Sequence, residues 1–204
     1  MKRRSQDEAR RRLYEIARIQ EGLFTAEDAV SAGYSRRLHT YHVQRGHWLR
    51  IERAIYRLRE FPESRYEDLA RWTLWSRGKG VISHDAAAAF HELGDLMPAH
   101  VHLTVPPGFR KRVPSSIVVH RGRLQSDEVR EATGFRVTTP LRTILDLLLS
   151  GTESDRLASV VRDALERGAV RRRALEAAFS KLKKTDGKRA KRVLTLVEET
   201  ARAV

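Results

Sequence analysis

The chain has 204 residues, of which 41% are hydrophobic and 32% charged, enough apolar sequence for a folded core and for one or two domains. It contains no cysteine, which excludes disulfides, thiolate metal sites and cysteine nucleophiles. Lysine and arginine outnumber aspartate and glutamate by 40 to 26, a formal net charge of +14 that is typical of nucleic-acid-binding proteins. No long apolar run and no apolar leader segment are present, so we expect a cytoplasmic protein without a membrane span.

The positive charge is concentrated at the two ends of the chain. Residues 1–60 carry 14 basic and 8 acidic residues, and residues 151–204 carry the same numbers. Residues 61–150 are nearly balanced, with 12 basic and 10 acidic residues. An evenly basic solvated surface would not need such an uneven distribution.

Three helices are predicted in the first fifty residues. Apolar residues at helical spacing indicate a first helix over 6–20. Thr25 and an aspartate three residues later resemble a capping box, which predicts a short helix to about Ala32, ended by a glycine in the left-handed conformation. Ser35 is a second N-cap and opens a helix that Gly46 ends. The short turn between the last two helices is typical of a helix-turn-helix.

A β-hairpin is predicted after Gly46. The apolar runs 48–51 and 54–58 flank Glu52 and Arg53, which would form its tip. Three helices followed by a hairpin is the order of a winged helix-turn-helix. Phe61-Pro62 breaks the pattern, so we predict a DNA-binding domain over 1–60.

Residues 61–204 are predicted to form a second domain, with a mixed α/β body over 61–150 and a basic helical tail over 151–204. We expect Trp72, Trp75, Leu103 and Leu145 in the core of the body. The predicted elements are a helix over 65–77, a short strand and a helix from Ser83 to Gly94, strands over 100–106, 117–121 and 135–138, a helix capped by Thr139-Pro140, and helices over 153–168, 171–183 and 188–202, the last two separated by a break at Thr185-Asp186-Gly187. The predicted fold class is therefore α+β: an N-terminal winged helix-turn-helix, then a mixed α/β body and a C-terminal helical segment.

The third helix carries a polar face that suits a DNA major groove. At about 100° per residue, Arg36, Arg37, Thr40 and Gln44 lie opposite a stripe centred on Leu38, which we expect to pack inward. Arginine pairs with guanine, glutamine with adenine, and threonine with a phosphate or a thymine methyl group. An ordinary solvated helix face is the competing interpretation.

Further cations flank this helix. Arg50, Arg53 and Arg57 lie on the predicted wing, where they could reach the minor groove or the phosphate backbone. Arg11, with its neighbours on the first helix, could contact phosphates, although a solvated face explains these neighbours equally well.

The sequence gives little support for catalysis or metal binding. His100 and His102 share a strand face, and His84 and His91 share a helix face, but no further ligand stands at a familiar spacing. Nucleotide-binding, nucleophile-elbow and metalloprotease motifs are absent. We therefore predict no catalytic residues, no metal and no cofactor.

The C-terminal tail has a basic strip that could dock a partner. Apolar residues at helical spacing run through it, so the plainest interpretation is a packed helix with a solvated basic face. The alternatives are a docking surface for an acidic protein and a second DNA contact. The candidate partner-binding residues are Arg171, Arg172, Arg173, Lys181 and Lys184.

Taken together, several segments resemble the AbiEi-type antitoxins of bacterial type IV toxin–antitoxin systems. The segments are GLFTAEDAVSAGYSRR, VQRGHWLRIERAIYRL, VISHDAAAAFHELGDLMPAHVHLTVP, VVHRGRL and FRVTTPLRTILDLL, in this order over about residues 20–150. One departure is Ala54, where the family usually has glycine before the hydrophobic–tyrosine pair of the wing.

The resemblance implies a non-enzymatic, two-part protein. Its winged helix would bind inverted repeats in the promoter of its own operon, as a monomer or a DNA-induced dimer, and its C-terminal part would counter a cognate nucleotidyltransferase toxin. Two alternatives remain open: a DNA-processing enzyme targeted by a winged helix, and a stand-alone transcription factor that responds to a ligand.

Overall fold

The computed structural model describes residues 2–202, with side-chain environments for residues 5–199, and divides the chain into two compact units. Unit 1 comprises Met1–Gly80 and Glu131–Arg136, and unit 2 comprises Val81–Arg130 and Val137–Val204. The domain boundary at residue 60 stays a prediction. Trp72 and Trp75, which we expected in the second domain's core, belong to unit 1, where Trp72 is buried and Trp75 half-buried.

Unit 1 has the element order of a winged helix-turn-helix, as the sequence predicted. Its elements are helices α1 (Lys2–Arg18), α2 (Ala26–Ala32), α3 (Arg36–Gln44) and α4 (Glu67–Trp75), and strands β1 (Leu23–Thr25), β2 (Trp48–Glu52) and β3 (Ile55–Leu58). The strands form an antiparallel sheet in the order β1-β3-β2. Strand β1 was missed because three residues are too few to show an alternating pattern.

The local signals that start and end α2 are confirmed. The Thr25 hydroxyl accepts the N–H of Asp28 at 3.1 Å, and the Asp28 carboxylate accepts the N–H of Thr25 at 2.7 Å, which completes a capping box. Gly33 ends the helix with φ at +112°, a conformation that L-residues rarely adopt. The helix packs on a core that includes Leu13, Phe24 and Trp48. These contacts fix where α3 begins.

Unit 2 contains most of a five-stranded mixed sheet and a layer of helices. The strands are β4 (Val81–Ile82), β5 (Val101–Val105), β6 (Ile117–Arg121), β7 (Val129–Ala132) and β8 (Phe135–Thr138), and the helices are α5 (His84–Phe90), α6 (Pro140–Leu149), α7 (Ser154–Glu166), α8 (Arg172–Ser180) and α9 (Lys184–Arg202). The parts of β7 and β8 within Glu131–Arg136 are assigned to unit 1. The strand order is β6-β5-β4-β8-β7; β5 pairs in parallel with β6 and antiparallel with β4. Among the described residues, no helix combines the length and apolar character needed to cross a membrane.

The core of unit 2 lies among its helices. Leu147, Leu157 and Val193 belong to one apolar cluster, and the half-buried Leu145 packs against it. Leu103 is fully buried, as expected. The Thr139 hydroxyl caps α6 with proline in the first turn, which confirms the predicted helix start.

The predicted break at Thr185-Asp186-Gly187 is wrong. Helix α9 begins at Lys184 and continues through these residues, and the N–H of Gly187 bonds the carbonyl of Lys183 at 2.8 Å. Asp186 lies in the first turn, where a carboxylate interacts favourably with the helix dipole. The three residues therefore form a helix start.

Candidate nucleic-acid interface

Helix α3 packs on the wing through histidines. His39 is 7% exposed and its ring lies 5.4 Å from that of Trp48, while the His42 ring stacks on Trp48 at 4.6 Å. Burial, and then neighbouring positive groups, lower the pKa of both histidines, so both stay neutral near pH 7. Leu38, which we expected to pack inward, is 40% exposed. The aromatic side chains of the wing pack against the flat imidazole rings of His39 and His42. The helix is therefore rotated so that its histidine side, and not Leu38, faces the core.

The predicted DNA-facing residues of α3 all lie at the surface: Arg36, Arg37, Thr40 and Gln44. The rotation of the helix adds two residues to this outward face. Tyr41 is 46% exposed, and the guanidinium of Arg45 lies 5.5 Å from the centre of its ring. Sequence reasoning missed both because it placed them beside the Leu38 stripe, although an aromatic residue followed four positions later by arginine is a signal for such a pair.

The arginines of the outward face are electrostatically uncompensated. Among the described side chains, no carboxylate lies within ion-pairing distance of Arg36, Arg37 or Arg45. The wing continues this pattern with Arg50 and Arg53, which are exposed and also lack an acidic partner in the described part of the chain. Uncompensated cations on a helix and an adjacent hairpin can neutralise phosphates, which supplies most of a protein's affinity for DNA.

The tip of the wing is a tight turn closed by local contacts. The Glu52 carboxylate accepts the N–H of Arg53 at 3.0 Å, and a register irregularity lies between Arg50 and Glu52. Ala54 has φ at +61°, in the left-handed region that favours glycine. The turn leaves the Arg53 side chain exposed.

Arg57 is not part of this surface, contrary to our expectation. Its side chain is 9% exposed and pairs with Glu67 and, at 3.1 Å, with Glu63. Burial lowers the pKa of Arg57, but its bonds to the two glutamates raise it more. Glu67 is the first residue of α4, and the sequence did not predict that this helix contacts the wing. Arg57 therefore joins the wing to α4 inside unit 1.

Among the arginines of the first helix whose side chains the structure describes, Arg11 is unpaired. Arg10 pairs with Glu60 at 3.5 Å and Arg12 pairs with Glu8. Arg11 is exposed, and no carboxylate of the described residues pairs with it. Of the three neighbouring arginines, Arg11 is the one whose charge remains available for a phosphate.

A second set of exposed cations lies on α8 and at the start of α9. The predicted partner-binding residues are all exposed: Arg171, Arg172 and Arg173 at the start of α8, Lys181 at its end and Lys184 at the start of α9. Arg172 pairs with Glu198 at 3.1 Å and with Glu176 at 3.8 Å. Three arginines at a helix N-terminus oppose the helix dipole, so folding alone does not favour them there.

A groove of about 450 Å³ lies between the second half of α8 and the first half of α9. Phe179, Leu182 and Leu194 line it, and the rim includes Lys184, Lys188 and Lys191 as well as Glu176. An apolar floor with a mostly cationic rim suits an amphipathic segment that carries acidic side chains.

The histidines of unit 2 group differently from the predicted pairs. His84, His102 and His120 lie together, with one nitrogen of each ring within 4.8 Å of the others. Burial lowers the pKa of all three, that of His84 to about 3. His91 lies apart and its Nε2 bonds the carbonyl of Thr138 at 2.7 Å. His120 was missed because its strand lies 18 residues beyond His102.

A nuclease would need clustered carboxylates to hold a metal ion. Arg142 separates Asp146 from Glu128, with a distance of 2.8 Å to each. Burial raises the pKa of Asp146 to about 6, more than Arg142 lowers it. Within the part of the chain that the structure describes, no three carboxylates come close enough to hold a metal ion together.

Comparison with known proteins gives two family matches and a structural neighbour. Residues 11–59 match a family model described as transcriptional regulator, AbiEi antitoxin, and residues 80–196 match the AbiEi antitoxin C-terminal domain. The fold is similar to the crystal structure of the RV2827C protein from Mycobacterium tuberculosis, with a TM-score of 0.62 and 17% identity over 96% of this chain and 79% of that one. No curated protein matches the chain.

Proposed function

The chain belongs to the AbiEi antitoxin family, whose members are antitoxins and transcriptional regulators, and we propose that it represses its own operon and neutralises a cognate nucleotidyltransferase toxin. The proposed operator binding rests on the outward face of α3. Arg36 and Arg37 are exposed there without acidic partners, and the adjacent wing also carries arginines without acidic partners. N-terminal residues of a recognition helix lie nearest the base edges in this fold.

We expect Arg37 to contact a base and Arg11 a phosphate. Arg37→Ala should lower operator affinity by about 1–3 kcal/mol and relax the preference at one base position. Arg11→Ala should weaken binding to all sequences alike. It should also reduce the salt slope, the steepness with which the logarithm of affinity falls with the logarithm of salt concentration, by about one. The control is Arg18→Ala, which removes an exposed arginine already paired with Glu15.

Fluorescence anisotropy with promoter DNA at two salt concentrations measures these effects. Equal losses from Arg37→Ala and Arg18→Ala would show that the outward face does not bind the operator. Two copies should occupy an inverted repeat, because one winged helix makes a small interface. A footprint limited to one half-site at saturation would contradict this second expectation.

For toxin neutralisation, we propose that the toxin contacts the start of α8 and the groove between α8 and α9. A nucleotidyltransferase holds Mg²⁺ on carboxylates, so its active-site surface is acidic and complementary to this cationic region. Arg171 and Arg173 support the proposal because neither has an acidic partner among the described residues, whereas Arg172 also holds α9 through Glu198.

The test reverses the two unpaired charges, Arg171→Glu with Arg173→Glu, and leaves Arg172 in place. We expect loss of growth rescue from the co-expressed toxin, with operator affinity and salt slope unchanged. A lower operator affinity with a smaller salt slope would instead assign the surface to DNA. No change in either assay would show that the arginines are only solvated.

A further inference from the structure

The fold brings three histidines from separate elements of unit 2 to one place. His102 lies on β5 and His120 on β6, and the parallel register pairs His102 with Val118 and Thr104 with His120, so both histidines lie on the same face of the sheet. His84 opens α5 directly after β4, and the N–H of Ser83 bonds the carbonyl of His102 at 3.0 Å. Backbone pairing therefore holds the three residues together.

One nitrogen–nitrogen distance within this group matches that of a coordination shell. Nε2 of His120 lies 3.3 Å from Nδ1 of His102, close to the separation of about 3.4 Å that two nitrogens have on a tetrahedral zinc with bonds of about 2.0–2.1 Å. The His84 and His120 rings stack with centroids 3.5 Å apart and planes at 11°, so one ring has to turn for both lone pairs to reach the same ion. Oδ2 of Asp85 lies 3.7 Å from Nδ1 of His102, beside the group of three histidines and not within it.

From this arrangement we propose that His84, His102 and His120 bind one divalent transition-metal ion of the zinc type. Imidazole nitrogens suit such a cation better than Mg²⁺ or Ca²⁺, which prefer oxygen ligands. Three protein ligands leave a fourth position for water, and the ion would tie α5 to the paired strands β5 and β6.

Partners behind the ligands support this assignment. Nδ1 of His84 lies 2.9 Å from the Ser83 hydroxyl, which accepts the hydroxyl of Thr104 at 2.8 Å, and both hydroxyls are buried. When Nδ1 of His84 donates to Ser83, its Nε2 lone pair is free for the metal. The second oxygen of Asp85 lies 3.2 Å from Arg156, which orients the carboxylate.

The backbone of His84 is in a strained conformation. His84 has φ at +54°, in the left-handed region, although glycine is the residue usually found there. Such a conformation persists where the surroundings impose it, and it is enriched at ligand sites. The side chains of His102 and Asp85 remain 18% and 20% exposed, which leaves a route for the ion.

Cobalt titration of the untagged full-length chain, stripped with chelator, tests the proposal. Tetrahedral Co²⁺ has visible d–d bands that hydrated Co²⁺ largely lacks, so we expect bands that saturate at one equivalent and disappear on adding Zn²⁺. His102→Ala and His120→Gln should each abolish the bands. Thr104→Val, which removes a supporting hydroxyl, should weaken cobalt binding by about 10–100-fold.

His100→Ala is the matched control, because His100 is exposed beside the same strand and lies outside the group. It should retain the full signal. Circular dichroism in chelator verifies that each variant folds, and Asp85→Asn on α5, which removes the carboxylate beside the histidines, leaves the strands unchanged and should weaken binding. Absent bands in the wild-type chain, bands that survive in the folded His102→Ala and His120→Gln variants, or loss of the signal in His100→Ala would each overturn the proposal.

Discussion

The buried ion pair of Arg57 and Glu67 allows a quantitative test of how unit 1 is held together. Both side chains are largely removed from water, at 9% and 16% exposure, whereas Glu63, the second partner, is 82% exposed. Arg57→Ala would leave the Glu67 carboxylate without its partner in a poorly hydrated position, at a cost of about 3–5 kcal/mol. Glu63→Ala removes only the exposed partner and should cost less than about 1 kcal/mol.

Tryptophan fluorescence reports this effect selectively. The chain has 3 tryptophans, and Trp48, Trp72 and Trp75 all lie in unit 1. With a urea m-value of about 1 kcal/mol/M for a unit of this size, Arg57→Ala should lower the midpoint by about 3 M or leave the unit unfolded in buffer. Arg57→Met should recover part of the loss, because its chain replaces the packed arginine stem.

The same variants decide whether Arg57 binds DNA. In the folded Arg57→Met variant, operator affinity and salt slope should remain as in the wild type, whereas a phosphate contact would lower the slope by about one. An unchanged unfolding midpoint in Arg57→Ala, together with weaker binding and a reduced salt slope, would refute the structural role of this pair.

Three further substitutions have defined outcomes. Ala54→Gly relieves the left-handed φ at the wing and should stabilise unit 1 by about 1 kcal/mol, measured by the same fluorescence transition; a lower midpoint would contradict the strain argument. Thr25→Ala removes the cap of α2 and should destabilise unit 1 by about 1 kcal/mol, and an effect below about 0.3 kcal/mol would show that the capping box is dispensable. Asp146 has a folded pKa near 6, above its unfolded value near 4, so its contribution to stability is present below pH 4 and is lost as pH rises through 6. The free energy of unfolding of the wild type relative to Asp146→Asn should therefore fall by up to about 3 kcal/mol between pH 4 and pH 8. Unfolding followed by circular dichroism of the helical band measures this difference. A difference in unfolding free energy that does not change with pH would mean that Arg142 holds the carboxylate ionised.

Local chemistry was readable from the sequence because it depends on neighbouring residues. The caps at Thr25 and Thr139 and the turn at Gly33 each follow from a few adjacent residues, and all are present in the structure. The rotation of α3 was not readable, because it depends on Trp48 and Tyr56, which approach the helix from the wing.

Long-range pairing explains the remaining differences. Arg57 looks like any exposed wing arginine until α4 brings Glu67 beside it. His120 joins His102 only through the parallel register of β5 and β6, which no periodicity along the chain encodes. Both features depend on the packing of separate elements, which local spacing does not specify.

The contacts of His42 and His39 with Trp48 would also limit which DNA sites the proposed interface accepts. Because Trp48 is the first residue of the wing, helix α3 and the hairpin share one aromatic core and must move as a single body. If α3 reads bases and Arg53 reaches the DNA backbone, as we propose, the protein fixes the spacing between those two contacts. Inserting one base pair between those two positions in a half-site would rotate one contact by about a tenth of a turn away from the protein, so site length becomes a determinant of recognition alongside base identity.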